Sequence, residues 1–255
     1  MLTRRSFNTL LAAGAVSSIT PRVTNAQPGT RANNVVLVHG LYADGSCWLD
    51  VIPYLQNAGL NVTAVQNPLT SLADAAAATR RILALQKGPT VLVGHSFAGT
   101  IISETGNEPI VSALVYVAAR APDAGEDFGA LAAQFPKPPA SAGVVKADGF
   151  FWLSEEAFLR DFAGDLTPAR ARALFAVQGQ VASTLVTEKT STAAWRSKPS
   201  WYQVSIQDRT INPDLERLIL GWGSQVQVLA PARLRESIWK EAKEIFEAGV
   251  ESPQP

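Results

Sequence analysis

Cysteine is almost missing from this 255-residue chain: Cys47 stands alone, which excludes an intramolecular disulfide framework and any cysteine-based metal site. Net charge is missing too. Twenty-two basic residues balance 22 acidic ones with no run of like sign. Electrostatic binding to nucleic acid or anionic lipid therefore has no footprint, and a small neutral partner is expected. The apolar run Leu10–Val16 is too short and too weakly hydrophobic to anchor the chain across a bilayer. There is no internal repeat, no low-complexity tract, no phosphate-binding loop and no cluster of metal ligands, so neither a metal nor another cofactor is expected. What is present, 47% hydrophobic residues spread over the whole length, suits one domain with a sizeable core.

The first 26 residues read as separate from that domain. Thr3-Arg4-Arg5-Ser6-Phe7 sets paired arginines ahead of the apolar run, and Thr24-Asn25-Ala26 supplies small residues suited to a signal peptidase. The pattern resembles a twin-arginine export signal, and implies a mature domain over residues 27–255 that works in a periplasm or outside the cell.

Beyond it, short β-branched apolar runs alternate with helical patterns. Val35–Val38, Thr90–Val93 and Val111–Val117 read as strands buried on both faces, with further strands at Leu60–Val65, Ser200–Ile206 and Gln225–Leu229. Helices are predicted over Trp48–Asn57, from a Ser71 cap to about Gln86, and over Glu236–Ala248. This alternation predicts an α/β fold, a doubly wound, mostly parallel sheet with helices on both faces. It breaks between about Ala121 and Trp195, where prolines and two helical segments read as a helical lid over the strand ends.

Gly94-His95-Ser96-Phe97-Ala98-Gly99 carries the chemistry. It follows a buried strand and opens a helix, the context in which a Gly-x-Ser-x-Gly turn presents a nucleophilic serine, here Ser96. Gly94 and Gly99 are the small residues such a turn needs if helix and strand are to pack closely. His39-Gly40-Leu41-Tyr42 follows the first strand. In this arrangement a backbone N–H of Leu41 or Tyr42, with that of Phe97, would form the oxyanion hole. The acid should follow a later strand, and Asp208, after the strand ending at Ile206, is the choice; Asp123 is the second candidate. Asp208 has an alternative reading as a turn aspartate ahead of Asn212-Pro213.

The segments Val35–Tyr42, Val93–Thr105, Val115–Glu126 and Ser200–Pro213 resemble small esterases of the α/β-hydrolase superfamily, in the branch that includes plant methylesterases and hydroxynitrile lyases. The resemblance implies a catalytic histidine after the last strand. This chain departs there, because its only histidines are His39 and His95, and Arg233 occupies the approximate position. A guanidinium stays protonated at neutral pH and cannot serve as the base. Stripping a triad leaves only about 10³- to 10⁴-fold catalysis over water. Two readings follow: a slow or inactive hydrolase of small apolar carboxylic esters, with lid aromatics such as Phe135, Phe150, Phe151, Trp152, Phe158 and Phe162 lining its pocket, or a non-catalytic member that binds a small ligand.

Overall fold

A computed structural model describes residues 32–220 and 225–229; the segment read as an export signal, Arg233 and the helix expected over Glu236–Ala248 lie outside these residues. The described chain builds a six-stranded parallel sheet in the order β2-β1-β3-β4-β8-β9. Its strands are β1 (Asn34–Val38), β2 (Asn61–Val65), β3 (Thr90–His95), β4 (Val111–Val117), β8 (Ser200–Ser205) and β9 (Gln225–Leu229).

The all-apolar runs become central strands because each can bury both faces. Along β1, Val36 and Val38 enter a core that also holds Leu72, Ala75, Leu92 and Ile101. The alternate residues Val35 and Leu37 enter a second core with Trp48, Val51, Leu55, Val91 and Val93. Helices α2 (Leu72–Ala84) and α3 (Ala98–Thr105) therefore cover one face, and α1 (Ile52–Asn57) covers the other. Ser71 caps α2 as its spacing predicts, accepting a hydrogen bond from the Asp74 N–H at 3.0 Å. The helix predicted from Trp48 divides into a 3-10 turn, Gly45–Trp48, and α1, which begins at Ile52. Pro53 has no N–H to donate and fits only a first helical turn, so it sets that start.

Residues 118–199 leave the sheet between β4 and β8 and form the lid. It contains α4 (Phe128–Ala132), α5 (Glu155–Ala157), a single π-helical turn at Phe158–Phe162 and α6 (Pro168–Ala176). It is not helical throughout, as the sequence reading expected. Strands β5 (Val144–Ala147), β6 (Phe150–Leu153) and β7 (Val181–Ala182) make a three-stranded antiparallel sheet. Asp148 and Gly149 join β5 to β6 with φ of 51° and 80°, the double left-handed conformation that a two-residue hairpin turn requires. Leu153, Ala157, Phe158 and Ala171 give the lid its own small core. The last helix described, α7 (Pro213–Leu220), packs near β8.

Candidate active site

β1 lies between β2 and β3, so the strand order turns there, and the loops leaving β1 and β3 meet at one end of the sheet. That reversal is where open α/β sheets place their ligands. Ser96 sits at the end of β3 with φ of 55°, a left-handed conformation costing a non-glycine residue about 1–2 kcal/mol. Three backbone hydrogen bonds hold it there. Its N–H donates to the Val117 carbonyl at 3.1 Å, and its carbonyl accepts from the N–H groups of Gly99 at 3.1 Å and Arg120 at 3.0 Å. The flanking glycines are sterically required. A Cβ on Gly94 would stand 2.8 Å from the Ala98 carbonyl oxygen, and one on Gly99 only 1.7 Å from that of Arg120.

The loop after β1 presses against this turn. A Cβ on Gly40 would lie 2.8 Å from the Ser96 Cβ and 3.3 Å from its Oγ. Only glycine lets the backbone of residues 40–42 approach the serine so closely. Leu41 is buried, and Tyr42 carries φ of 60°. His39 is fully engaged at the end of β1. Its Nδ1–H donates to the Gly40 carbonyl at 2.9 Å, and its Nε2 accepts from the Asn67 N–H at 3.3 Å. Burial lowers its pKa, so the ring is neutral and both nitrogens are used for shaping the loop. It has no free lone pair for a serine proton.

Asp208 follows β8. Its Oδ1 accepts from the Thr210 N–H at 2.6 Å, the Thr210 hydroxyl at 2.7 Å and the Ile211 N–H at 2.8 Å. The turn-aspartate reading of this residue is thus realised in the geometry, with all three bonds falling on one oxygen. Asp123, the second candidate acid, is instead committed to a bidentate pair with Arg196. His95 and Asp208 line one cavity of about 330 Å³, together with Gln207 and Arg209. Burial lowers the His95 pKa, the negative charge of Asp208 opposing that shift.

Ser96 opens instead onto a neighbouring cavity of about 190 Å³, walled by Leu41, Tyr42, Phe128, Pro138, Phe162 and Ile211. The two cavities share Phe162 and Thr210. Among the described residues the Ser96 hydroxyl makes no hydrogen bond. Of the lid aromatics expected at the pocket, Phe162 alone lines this cavity. Phe151 and Phe158 are buried in the packing, where large rings gain most from leaving water.

Two features escaped the sequence reading. Arg120, just beyond β4, lines the serine cavity, with its guanidinium carbon 5.2 Å from the ring centroid of Phe97 and 4.4 Å from that of Phe128. The only signal for it was a charged residue closing the apolar run Val115–Ala119. Asp161, on the lid, is buried and paired with Arg160 at 2.9 Å and with Arg209 at 2.7 Å. It thereby ties the lid to the loop that carries Asp208.

Arg233 lies beyond the described residues, but the strand leading to it does not. Leu229 pairs with Ser205 in parallel register, so the chain leaves β9 at the same sheet edge as Ser96 and Asp208. Among the described residues no three His, Cys, Asp or Glu side chains group as metal ligands, and no helix is long and apolar enough to cross a membrane.

Solved structures repeat this fold. A pyrethroid hydrolase from Sphingobium faniae superposes with a TM-score of 0.70 at 19% identity, over 87% of this chain and 100% of its own. Polyneuridine aldehyde esterase gives 0.70 at 17%, over 86% and 99% respectively. An extracellular alpha/beta-hydrolase from a Paenibacillus species gives 0.67 at 18%, over 86% and 99%. No curated protein sequence matches the chain. A sequence model of the alpha/beta hydrolase family matches residues 35–239, a span that runs from β1 through the Ser96 turn to the region beyond β9. On that match, and on a sheet and a left-handed serine turn built as described, the chain belongs to the α/β-hydrolase family.

Proposed function

We propose that the chain is a serine hydrolase of the carboxylic ester type that works slowly, for want of a triad histidine. The observation that carries the reading is the left-handed Ser96 at the mouth of an apolar cavity, with the Gly40 loop packed against it. The Ser96 Oγ attacks the ester carbonyl, and the oxygen that becomes negative is received by the N–H of Phe97 and that of Leu41 or Tyr42. The alcohol leaves, and water then releases the acid from the acyl-serine. Asp208 is the acid of the site. The pyrethroid hydrolase and aldehyde esterase among the structural relatives favour ester substrates.

A second reading, ligand binding without turnover, is supported by the engagement of both His39 nitrogens and by the grouping of His95 with Asp208 rather than with Ser96. One experiment separates the two: treat the mature protein with a fluorophosphonate probe and a chromogenic acetate ester, beside a Ser96→Ala control. Labelling of Ser96 with turnover above the control is expected, and Arg233→His should raise that turnover. An unlabelled serine with control-level turnover leaves only the binding role.

A further inference from the structure

The Ser96 cavity holds the Arg120 guanidinium, a positive charge with no carboxylate against it among the described residues. Arg160, Arg196 and Arg209 each face a carboxylate, whereas among the described residues none lies within ion-pair distance of Arg120. The ionisable group that acts on it is Tyr42, whose hydroxyl burial pushes up to about 12, so that it is uncharged at neutral pH. The guanidinium stays cationic there even though burial draws it down to about 10. An uncompensated cation in a largely apolar cavity is unfavourable unless an anion joins it.

Geometry narrows the anion. The guanidinium carbon lies over the rings of Phe97 and Phe128, and the N–H groups of the fork are its means of binding an anion. A planar fork of that kind matches a carboxylate in bidentate fashion. The remaining walls, including Leu41, Phe162 and Ile211, suit an apolar body. The backbone N–H of Arg120 is bonded to the Ser96 carbonyl, so the charge is held in register with the serine.

We propose that the Ser96 cavity binds small organic carboxylates and that Arg120 is the residue selecting the anion. This rests on the cavity being the ligand site, as proposed above, but not on turnover. Where Ser96 does act, the favoured substrate is a half-ester: its free carboxylate sits on Arg120, and water adds across its ester C–O bond to give an alcohol and a dicarboxylate. The neutral apolar ester expected from composition is then not the preferred ligand.

The test is calorimetric titration of the full chain with 3-phenylpropionate and with the neutral 3-phenylpropionamide. A charged hydrogen-bonded pair predicts that the carboxylate binds about tenfold tighter or more. Arg120→Met should abolish the preference, Arg120→Lys retain part of it, and Ser96→Ala keep it whole. Equal affinity for the two ligands, no carboxylate binding at millimolar concentration, or an unchanged preference in Arg120→Met would each overturn the proposal. If Arg120→Met does not fold, the wild-type comparison and the Lys variant decide. Fluorophosphonate labelling is blind to ligand charge, so a labelled serine without anion preference removes only this inference, and an anion preference beside an unreactive serine removes only the hydrolase reading.

Discussion

Replacing Arg120 by methionine should stabilise the unliganded protein. Burial lowers the guanidinium pKa from 12.5 to about 10, and a shift of that size corresponds to about 3 kcal/mol spent on keeping the charge in place. The two ring contacts return part of this, about 0.5–1 kcal/mol each. Methionine keeps an unbranched apolar stem against the same rings and has no charge to desolvate. The balance is a gain of about 1–2 kcal/mol, or roughly 2–8 °C in Tm for a domain of this size. The pH dependence has a definite sign. The protonated form is disfavoured in the fold, so the penalty is full below pH 10 and is relieved as pH rises from about 10 toward 12.5, where the variant's advantage should shrink. Paired urea melts at pH 7 give the stability difference, and 3-phenylpropionate should raise the midpoint of the wild type but not of the variant. A variant less stable than wild type by 1 kcal/mol, on the order of one cation–π contact, would refute the idea that the guanidinium is an unsatisfied charge.

Two further perturbations probe how the site is held. Gly99→Ala would set a Cβ 1.7 Å from the Arg120 carbonyl oxygen, backbone that cannot swing aside, and should cost about 3 kcal/mol in denaturant melts; Gly59→Ala, left-handed at φ of 82° but facing open space, should cost only about 1 kcal/mol. Asp161→Asn should weaken the tether between lid and Asp208 loop by about 1–2 kcal/mol, a modest figure because both arginine partners are half exposed, and limited proteolysis should then cut the lid first. The hydrogen bond from Arg160, followed by that from Arg209, holds the Asp161 carboxyl below its ordinary 3.8. The tether is therefore at full strength above about pH 4 and is lost as pH falls through the lowered value, so acid should release the lid in wild type as the substitution does at pH 7.

Much of the frame was legible along the chain. Val35–Val38 and Val111–Val117 read as strands buried on both faces, since their apolar residues do not alternate with polar ones, and the run Gln225–Leu229 coincides with the observed strand. The hairpin β5–β6 is harder to see in the sequence although Asp148-Gly149 announces it, because Phe150–Leu153 continues into a helical pattern and its aromatic residues read as pocket lining. Those rings mostly fill the packing, which depends on partners far away in sequence.

The sequence by itself determined the parallel sheet, the serine turn, the glycine loop beside it and the lack of a histidine after residue 95, because each of these is a local matter of burial pattern, backbone strain or composition. Only the tertiary structure decided that His39 is spent on its own loop, that His95 and Asp208 share one cavity while Ser96 opens on another, and that Arg120 lies over two phenylalanine rings with no carboxylate beside it among the described residues. Those facts turn on which groups the fold brings together, and desolvation and charge pairing are properties of the meeting, not of any residue alone.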